Sequence, residues 1–217
     1  MSLERLDPGN AADVNSVADL HIKYLAESPI VKMGPRFLRE FYYRQLVADG
    51  LIGCTLCRAG DQVVGFISYT DRPADFMSIG LRRHFMHLSW LLSVSVLARP
   101  AMLKDLMLVL RLMRVRAKDS RKESSAGCGE ALSMAVIPEY QKHIPPDGRK
   151  RVAVRLFESA VEYCKAKGLE RIHLWVQPSN LAANLFYSAM GCPFEKIVFA
   201  GVAVHLYTYW IKEPSGK

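Results

Sequence analysis

Between Ile79 and Lys122 the sequence places ten basic residues, Arg82, Arg83, Arg99, Lys104, Arg111, Arg114, Arg116, Lys118, Arg121 and Lys122, against two acids, Asp105 and Asp119. A block of that balance attracts phosphate, anionic lipid or nucleic acid and does not by itself choose among them. The whole chain has 29 Lys and Arg against 21 Asp and Glu, a net +8, so this block alone carries the excess. Two other spacings invite metal or redox readings. Cys54-x-x-Cys57 has no second pair at zinc-ligand distance and sits inside an apolar strand-like run, which fits core thiols. His84 and His87 are three apart without a third ligand, so no metal is expected.

The elements that must hold these groups follow from length and periodicity. With 217 residues, 50% hydrophobic and 23% charged, the chain reads as one packed domain over 1–217 rather than a disordered polymer. Five cysteines are too few for a disulfide scaffold, and no charged–apolar–small leader opens the chain, so a cytoplasmic protein with reduced thiols is expected. A strand over 3–6 and the turn Asp7-Pro8-Gly9-Asn10 lead into a helix with Val14, Val17, Ala18, Leu20, His21 and Leu25 inward. Pro35 opens a second helix through Phe37, Leu38, Phe41, Tyr42 and Leu46, and strands over 52–58 and 62–69 are joined by Ala59-Gly60-Asp61.

The stretch from Leu88 to Ala98 is apolar for only eleven residues, short of the about 20 that a spanning helix needs. After Pro100, Met102, Leu103, Leu106, Leu110 and Met113 share a helical face. The region 76–127 therefore reads as an inserted helical pair between the third and fourth strands, ending in a polar loop from Ala117 to Gly127. The pattern then turns regular, with a strand over 130–136, an irregular loop over 138–148 and a long helix over 150–167. A buried strand over 171–176, a helix over 181–190 and strands over 196–200 and 202–211 complete it.

The run Ala131-Leu132-Ser133-Met134-Ala135-Val136-Ile137-Pro138-Glu139-Tyr140-Gln141 resembles the fourth strand and following loop of the GNAT superfamily of acetyl-CoA-dependent N-acetyltransferases. Asn180-x-x-Ala183-x-x-x-Tyr187-x-x-Met190-Gly191 is similar to that family's second half-motif, with Cys192 in place of the usual aromatic. The order β-α-α-β-β-insert-β-α-β-α-β-β agrees over essentially the whole chain. The resemblance implies an α/β (α+β) fold, with a mixed, mostly antiparallel twisted sheet flanked by helices.

What the resemblance implies for chemistry has a physical basis. A strand whose neighbour splays away exposes backbone groups that the pantetheine arm of acetyl-CoA pairs with, and by resemblance that strand is Met134, Ala135 and Val136. A helix N-terminus favours the pyrophosphate, here with Arg149, Lys150, Arg151, Val152 and Ala153. The family's loop is Gln/Arg-x-x-Gly-x-Gly/Ala. Counting back from Leu156 puts Ala153 at its last position, Arg151 at the first Gly and Gly148 at the opening. Gln141 would supply the opening residue instead if 143–147 is a local insertion. A Cβ at Arg151 crowds the approach of phosphate, while Arg149, Lys150 and Arg151 offer charge-assisted bonds. The same three residues also read as a solvated helix start.

The implied reaction is aminolysis of a thioester. At pH 7 only roughly one alkylamine in a few thousand is neutral, so a proton acceptor helps. Glu130 stands where many relatives place a catalytic carboxylate; sharing a strand face with Leu132 and Met134 would raise its pKa, and a solvated strand-end charge is the other reading. The N–H of Ala135 could stabilise the oxyanion. Tyr187 fits the general acid that protonates the departing thiolate, and Asn180 would bond the pantetheine or cap the helix from Leu181. Ala183 completes the cofactor side. His21 and Tyr24 border the acceptor side, while His173 and His205 pack in strands.

The resulting expectation is an acyltransferase, an acetyl-CoA-dependent N-acetyltransferase acting on a small primary amine, anionic or amino-sugar, with no metal and no nucleic-acid partner. Two alternatives stay open. Met102, Leu106 and Met113 could line a tunnel for a longer acyl chain, or the chain is a CoA-binding or membrane-associated module with a degenerate phosphate loop. A homodimer and a peripheral contact between the basic insert and an anionic surface are also left open.

Overall fold

The computed structural model describes residues 1–89, 127–142, 150–199 and 201–212. Most of the basic insert, with Met102, Leu106 and Met113, lies outside these residues, as do Gly148 and Arg149.

The chain opens with β1 (Ser2–Arg5) and α1 (Ala11–Tyr24). Asn10 starts α1 by accepting from the N–H groups of Ala12 and Asp13 at 3.1 and 3.3 Å, and Val14, Val17, Ala18 and His21 form its buried face. A short 3-10 turn at Val31–Met33 precedes α2, which comprises Phe37–Gln45 and a last turn at Leu46–Ala48. Its first nine residues wind with the wide i→i+5 pattern, and Tyr43 joins Phe37, Leu38, Phe41 and Tyr42 in the interior. The sequence pattern reads Phe37, Phe41, Tyr42 and Tyr43 as an aromatic stripe of core residues, and all four are buried.

The hairpin β2 (Gly53–Ala59) and β3 (Gln62–Thr70) follows, then α3 (Phe76–Arg83), the first part of the expected insert. Beyond it come β4 (Cys128–Val136), a four-residue α4 (Pro138–Gln141), α5 (Val152–Ala166), β5 (Arg171–Val176), α6 (Leu181–Ala189), β6 (Phe194–Phe199) and β7 (Val202–Trp210). Part of the expected irregular loop is thus helical: Pro138 holds the first helical position, where its missing N–H is harmless, and Glu139 favours the first turn.

Seven strands form one mixed sheet in the order β1-β2-β3-β4-β5-β7-β6, antiparallel throughout except for the parallel pair β4–β5. Helices cover both faces. One core gathers α1, α2 and α3 residues, including Val17, Phe41 and Phe76, against Leu56 and Phe66. The other gathers Leu156, Phe157 and Ala160 of α5 and Tyr187 of α6 against Ile67, Ile172, Leu174 and Tyr207. Where α5 crosses β4, Gly129 is required by contact: a Cβ there would lie 2.6 Å from the Cys164 sulfur.

The central pair positions the site. β4 and β5 are in register only from Cys128↔Arg171 to Ala131↔Leu174. Beyond that pair β4 runs on to Val136 and β5 to Val176 without pairing to each other. The separation begins at a bulge on the other edge of β4. Ser68 faces Ser133 and Tyr69 faces Ala131, so Leu132 is an extra residue with no partner in β3. A bulged strand bends and twists more strongly, and this one leaves β5 where the extra residue is inserted.

Candidate active site

The open side of β4 carries a defined set of backbone groups. Ala135 turns its carbonyl to β3, where the oxygen lies 3.0 Å from the position of a Cβ on Gly65. The N–H of Ile137 donates to Val64 on the same strand at 2.9 Å. Alternation along the strand then directs the amides of Met134 and Val136 to the side that β5 has left. The Ala135 N–H accordingly faces into the sheet, and the expectation that it meets an oxyanion is corrected by this register. At the far end Gln141 turns back and donates its Nε2 to the Val136 carbonyl at 2.9 Å.

α5 packs on β4 and on the short α4 that follows it, and its first residue, Val152, belongs to the same core cluster as Val136 and Ile137. Arg151 occupies the N-cap in an extended conformation (φ −52°, ψ 150°) and offers no side-chain cap. The N–H groups of Val152 and Ala153 stand in the first turn, where the helix supplies no acceptor. Arg151 is exposed, and Lys150 forms an ion pair with Glu158 one helical turn and more along α5. Of the three expected phosphate-binding side chains, Lys150 is therefore engaged along the helix and Arg149 lies outside the described residues.

On the β5 side, Asn180 caps α6 by accepting from the Ala183 N–H at 3.1 Å. Tyr187 is 7% exposed, enclosed by Phe186, Tyr207 and Phe157 with ring centroids at 5.1, 5.7 and 5.8 Å. Burial holds its phenol well above the ordinary value of 10, and the neighbouring Cys192 adds to the shift. Gly191 (φ 75°) closes α6 in a conformation that suits glycine, and Cys192 is buried where the family's aromatic was expected.

Glu130 is 4% exposed and sits one register step before the strands part, flanked by Thr70 on β3 and His173 on β5. The bulge changes its expected surroundings. Leu132 packs with the α1–α2 core and Met134 with the α5 core, so the two do not share one face beside the carboxylate. His173 replaces part of that environment; desolvation, then the Arg171 charge, lowers its pKa to about 4, leaving a neutral imidazole. Sequence reading treated His173 as packing alone; only the β4–β5 register reveals it as the neighbour of Glu130.

Other candidates are structural. His21 is 0% exposed, stacks on Phe66 with centroids 5.9 Å apart, and shares a 2.6 Å hydrogen bond between Nδ1 and the Tyr43 hydroxyl. It is a core residue rather than a wall of an acceptor cleft. His84 bonds Asp49 at 3.0 Å and His87 approaches Glu40 at 3.5 Å, tying the segment after β3 to α2. All five cysteines are free and buried. Among the described residues no group of three or more His, Cys, Asp or Glu side chains is arranged for a metal, and no helix is long and apolar enough to cross a membrane.

Comparison with known proteins shows what this arrangement of sheet and helices is similar to. Residues 113–192, spanning β4 to the end of α6, match the model of the Acetyltransferase (GNAT) family. An aminoglycoside 6'-N-acetyltransferase complexed with coenzyme A aligns with a TM-score of 0.58 at 11% identity, over 100% of both chains. The yncA protein of Salmonella typhimurium, with its cofactor acetyl-CoA, aligns at 0.56 and 10% identity over 99% of this chain and 96% of its own. The paia N-acetyltransferase of Thermoplasma acidophilum, in complex with coenzyme A, aligns at 0.52 and 14% identity over 96% and 100%. No curated protein sequence matches. The chain has the GNAT fold and carries the sequence pattern of GNAT acetyltransferases over 113–192.

Proposed function

We propose that this chain transfers the acetyl group of acetyl-CoA to a primary amine. The observation that carries the reading is the parting of β4 and β5 after Ala131 and Leu174, with the start of α5 beside it. The residues fit the co-substrate: Met134 and Val136 present edge amides to the two amides of the pantetheine arm, and Val152 and Ala153 present first-turn N–H groups to the diphosphate. Exposed Arg151 adds charge at that end.

Bound acetyl-CoA supplies an activated acyl group open to attack by a neutral amine. Glu130, at the fork of the strands, accepts the proton that the ammonium must lose first. Tyr187 keeps its proton at all physiological pH values and holds it for the departing sulfur. Asn180 serves the arm through its Nδ2, since its Oδ1 is committed to Ala183. The acceptor is a small amine, anionic or amino-sugar in the reading of the basic insert. The five buried, unpaired thiols fit a reducing compartment such as the cytoplasm.

Calorimetric titration with CoA and acetyl-CoA, followed by an amine panel with thiol detection, tests the proposal. Saturable binding of CoA and amine-dependent thiol release are expected. No heat at millimolar CoA would overturn it in favour of a fold that has lost its co-substrate.

A further inference from the structure

Asn184 lies on α6 facing the loop after β5, and its side chain uses both of its ends. Its Nδ2 donates to the carbonyls of Asn180 at 2.7 Å and Gln177 at 3.0 Å, with that of Pro178 at 3.4 Å. Its Oδ1 accepts from Nδ1 of His205 at 2.7 Å and from the Tyr207 hydroxyl at 3.0 Å. The partners fix which end is which. Carbonyls only accept, so the amide nitrogen faces the loop, and His205 and Tyr207 are the donors. His205 is therefore held with a proton on Nδ1.

One side chain thus joins three loop carbonyls, α6 and β7. The loop runs from the end of β5, on the side that β4 has left, and ends at Asn180. Its backbone has three further ties, each at 3.0 Å: the Asn180 N–H to the Gln177 carbonyl, the Leu181 N–H to the Ser179 carbonyl and the Asn184 N–H to the Asn180 carbonyl. The sequence motif counts Asn180, Ala183 and Tyr187 and passes over Asn184, whose β7 partners lie about twenty residues further along the chain.

We infer that Asn184 is a positioning residue for the co-substrate: by locking Gln177, Pro178 and Asn180 to β7, it fixes the amide of Asn180 beside the open strand edge. The inference rests on the proposed acetyl-CoA site and names a determinant of affinity within it. Asn184 acts through Asn180, so the two must be coupled in binding.

The test is a double-mutant cycle on CoA affinity, with melting curves recorded alongside. Asn184→Asp keeps an oxygen for His205 and Tyr207 to bond, removes the donors to the loop and sets a charged oxygen against its carbonyls. Asn180→Ser keeps a helix cap and removes the amide. Each change is expected to weaken CoA binding about 3- to 10-fold, one hydrogen bond's worth, and the double variant no further than the weaker single one. Tyr207→Phe, which removes one anchor on β7 and leaves the Asn184 amide whole, replaces Asn184→Asp in the cycle should that variant not fold, with the same expectation. Losses that multiply, or an Asn184→Asp affinity equal to wild type, overturn the inference while leaving the acetyltransferase reading in place. Absence of CoA binding by the wild type overturns both.

Discussion

Gln141 donates its side-chain amide to the carbonyl of Val136 at 2.9 Å, closing the outermost acceptor on the edge that β5 has abandoned. A pantetheine amide entering that edge would compete with Gln141 for this carbonyl or share it. Where the arm displaces Gln141, the bond counts for the free protein and not for the complex.

Removing it should therefore tighten binding. Gln141→Ala is expected to lower the stability of the free protein by about 1 kcal/mol and to improve CoA affinity about fivefold, the same free energy read as a ratio. Chemical denaturation with and without CoA, together with calorimetry, checks both halves. Weaker binding by the variant would show that Gln141 holds the ligand instead.

On the proposed mechanism Tyr187→Phe removes the proton for the departing thiolate and little else from a buried aromatic cluster. Turnover should fall about 100-fold or more, with CoA affinity within twofold of wild type. Because burial raises the phenol's pKa, the wild-type rate should show no alkaline limb from this group below pH 10. A descending limb near pH 9 that vanishes in the variant would contradict the assignment.

His21 gives the fold an acid sensitivity. Burial lowers its pKa from the ordinary 6.5 to about 4, so on acidification the unfolded chain binds the proton first. Its contribution is complete above pH 6.5 and is lost as the pH falls toward 4, amounting to about 3 kcal/mol. His173 acts with the same sign. Urea midpoints between pH 7.5 and 4 should decline in the wild type and decline less in His21→Leu; equal slopes would refute the role of His21.

Gly129→Ala should cost about 1–3 kcal/mol through overpacking, since the new methyl would meet the Cys164 sulfur at 2.6 Å. Adding Cys164→Ala should return part of that loss. A cycle in which the two costs simply add would mean that the backbone, with the Thr70 carbonyl at 3.3 Å, resists the methyl more than the sulfur does.

Periodic elements were legible because their patterns are local. On α5 the helical spacing predicts Val152, Leu156, Ala160, Val161 and Cys164 inward, and all but the half-buried Val161 are buried, with Phe157 beside them; β5 alternates Ile172, Leu174 and Val176 into the same core. The GNAT resemblance was carried by residues of β4 and α6, which the family match also covers. What escaped was set by pairing across the chain. Nothing in Ala131-Leu132-Ser133-Met134 marks a bulge; Leu132 is extra only when β4 is laid against β3. The partners of Glu130, the turn of Gln141 onto Val136 and the hub at Asn184 likewise depend on neighbours that no window of sequence contains. The edges drifted too: β6 begins at Phe194, two residues before the predicted start, since pairing with Tyr207 extends it past the apolar run.

The unmatched Leu132 also has a meaning for how such a cleft originates. A continuous sheet acquires a slit when one of its central strands is one residue too long for its neighbour, and the misfit is released on the side where the adjoining strand is parallel and held by a loop rather than a hairpin. Shortening β4 by that residue would restore parity along the seam and let the two halves zip shut. The cleft is thus encoded as a difference in length between neighbouring strands.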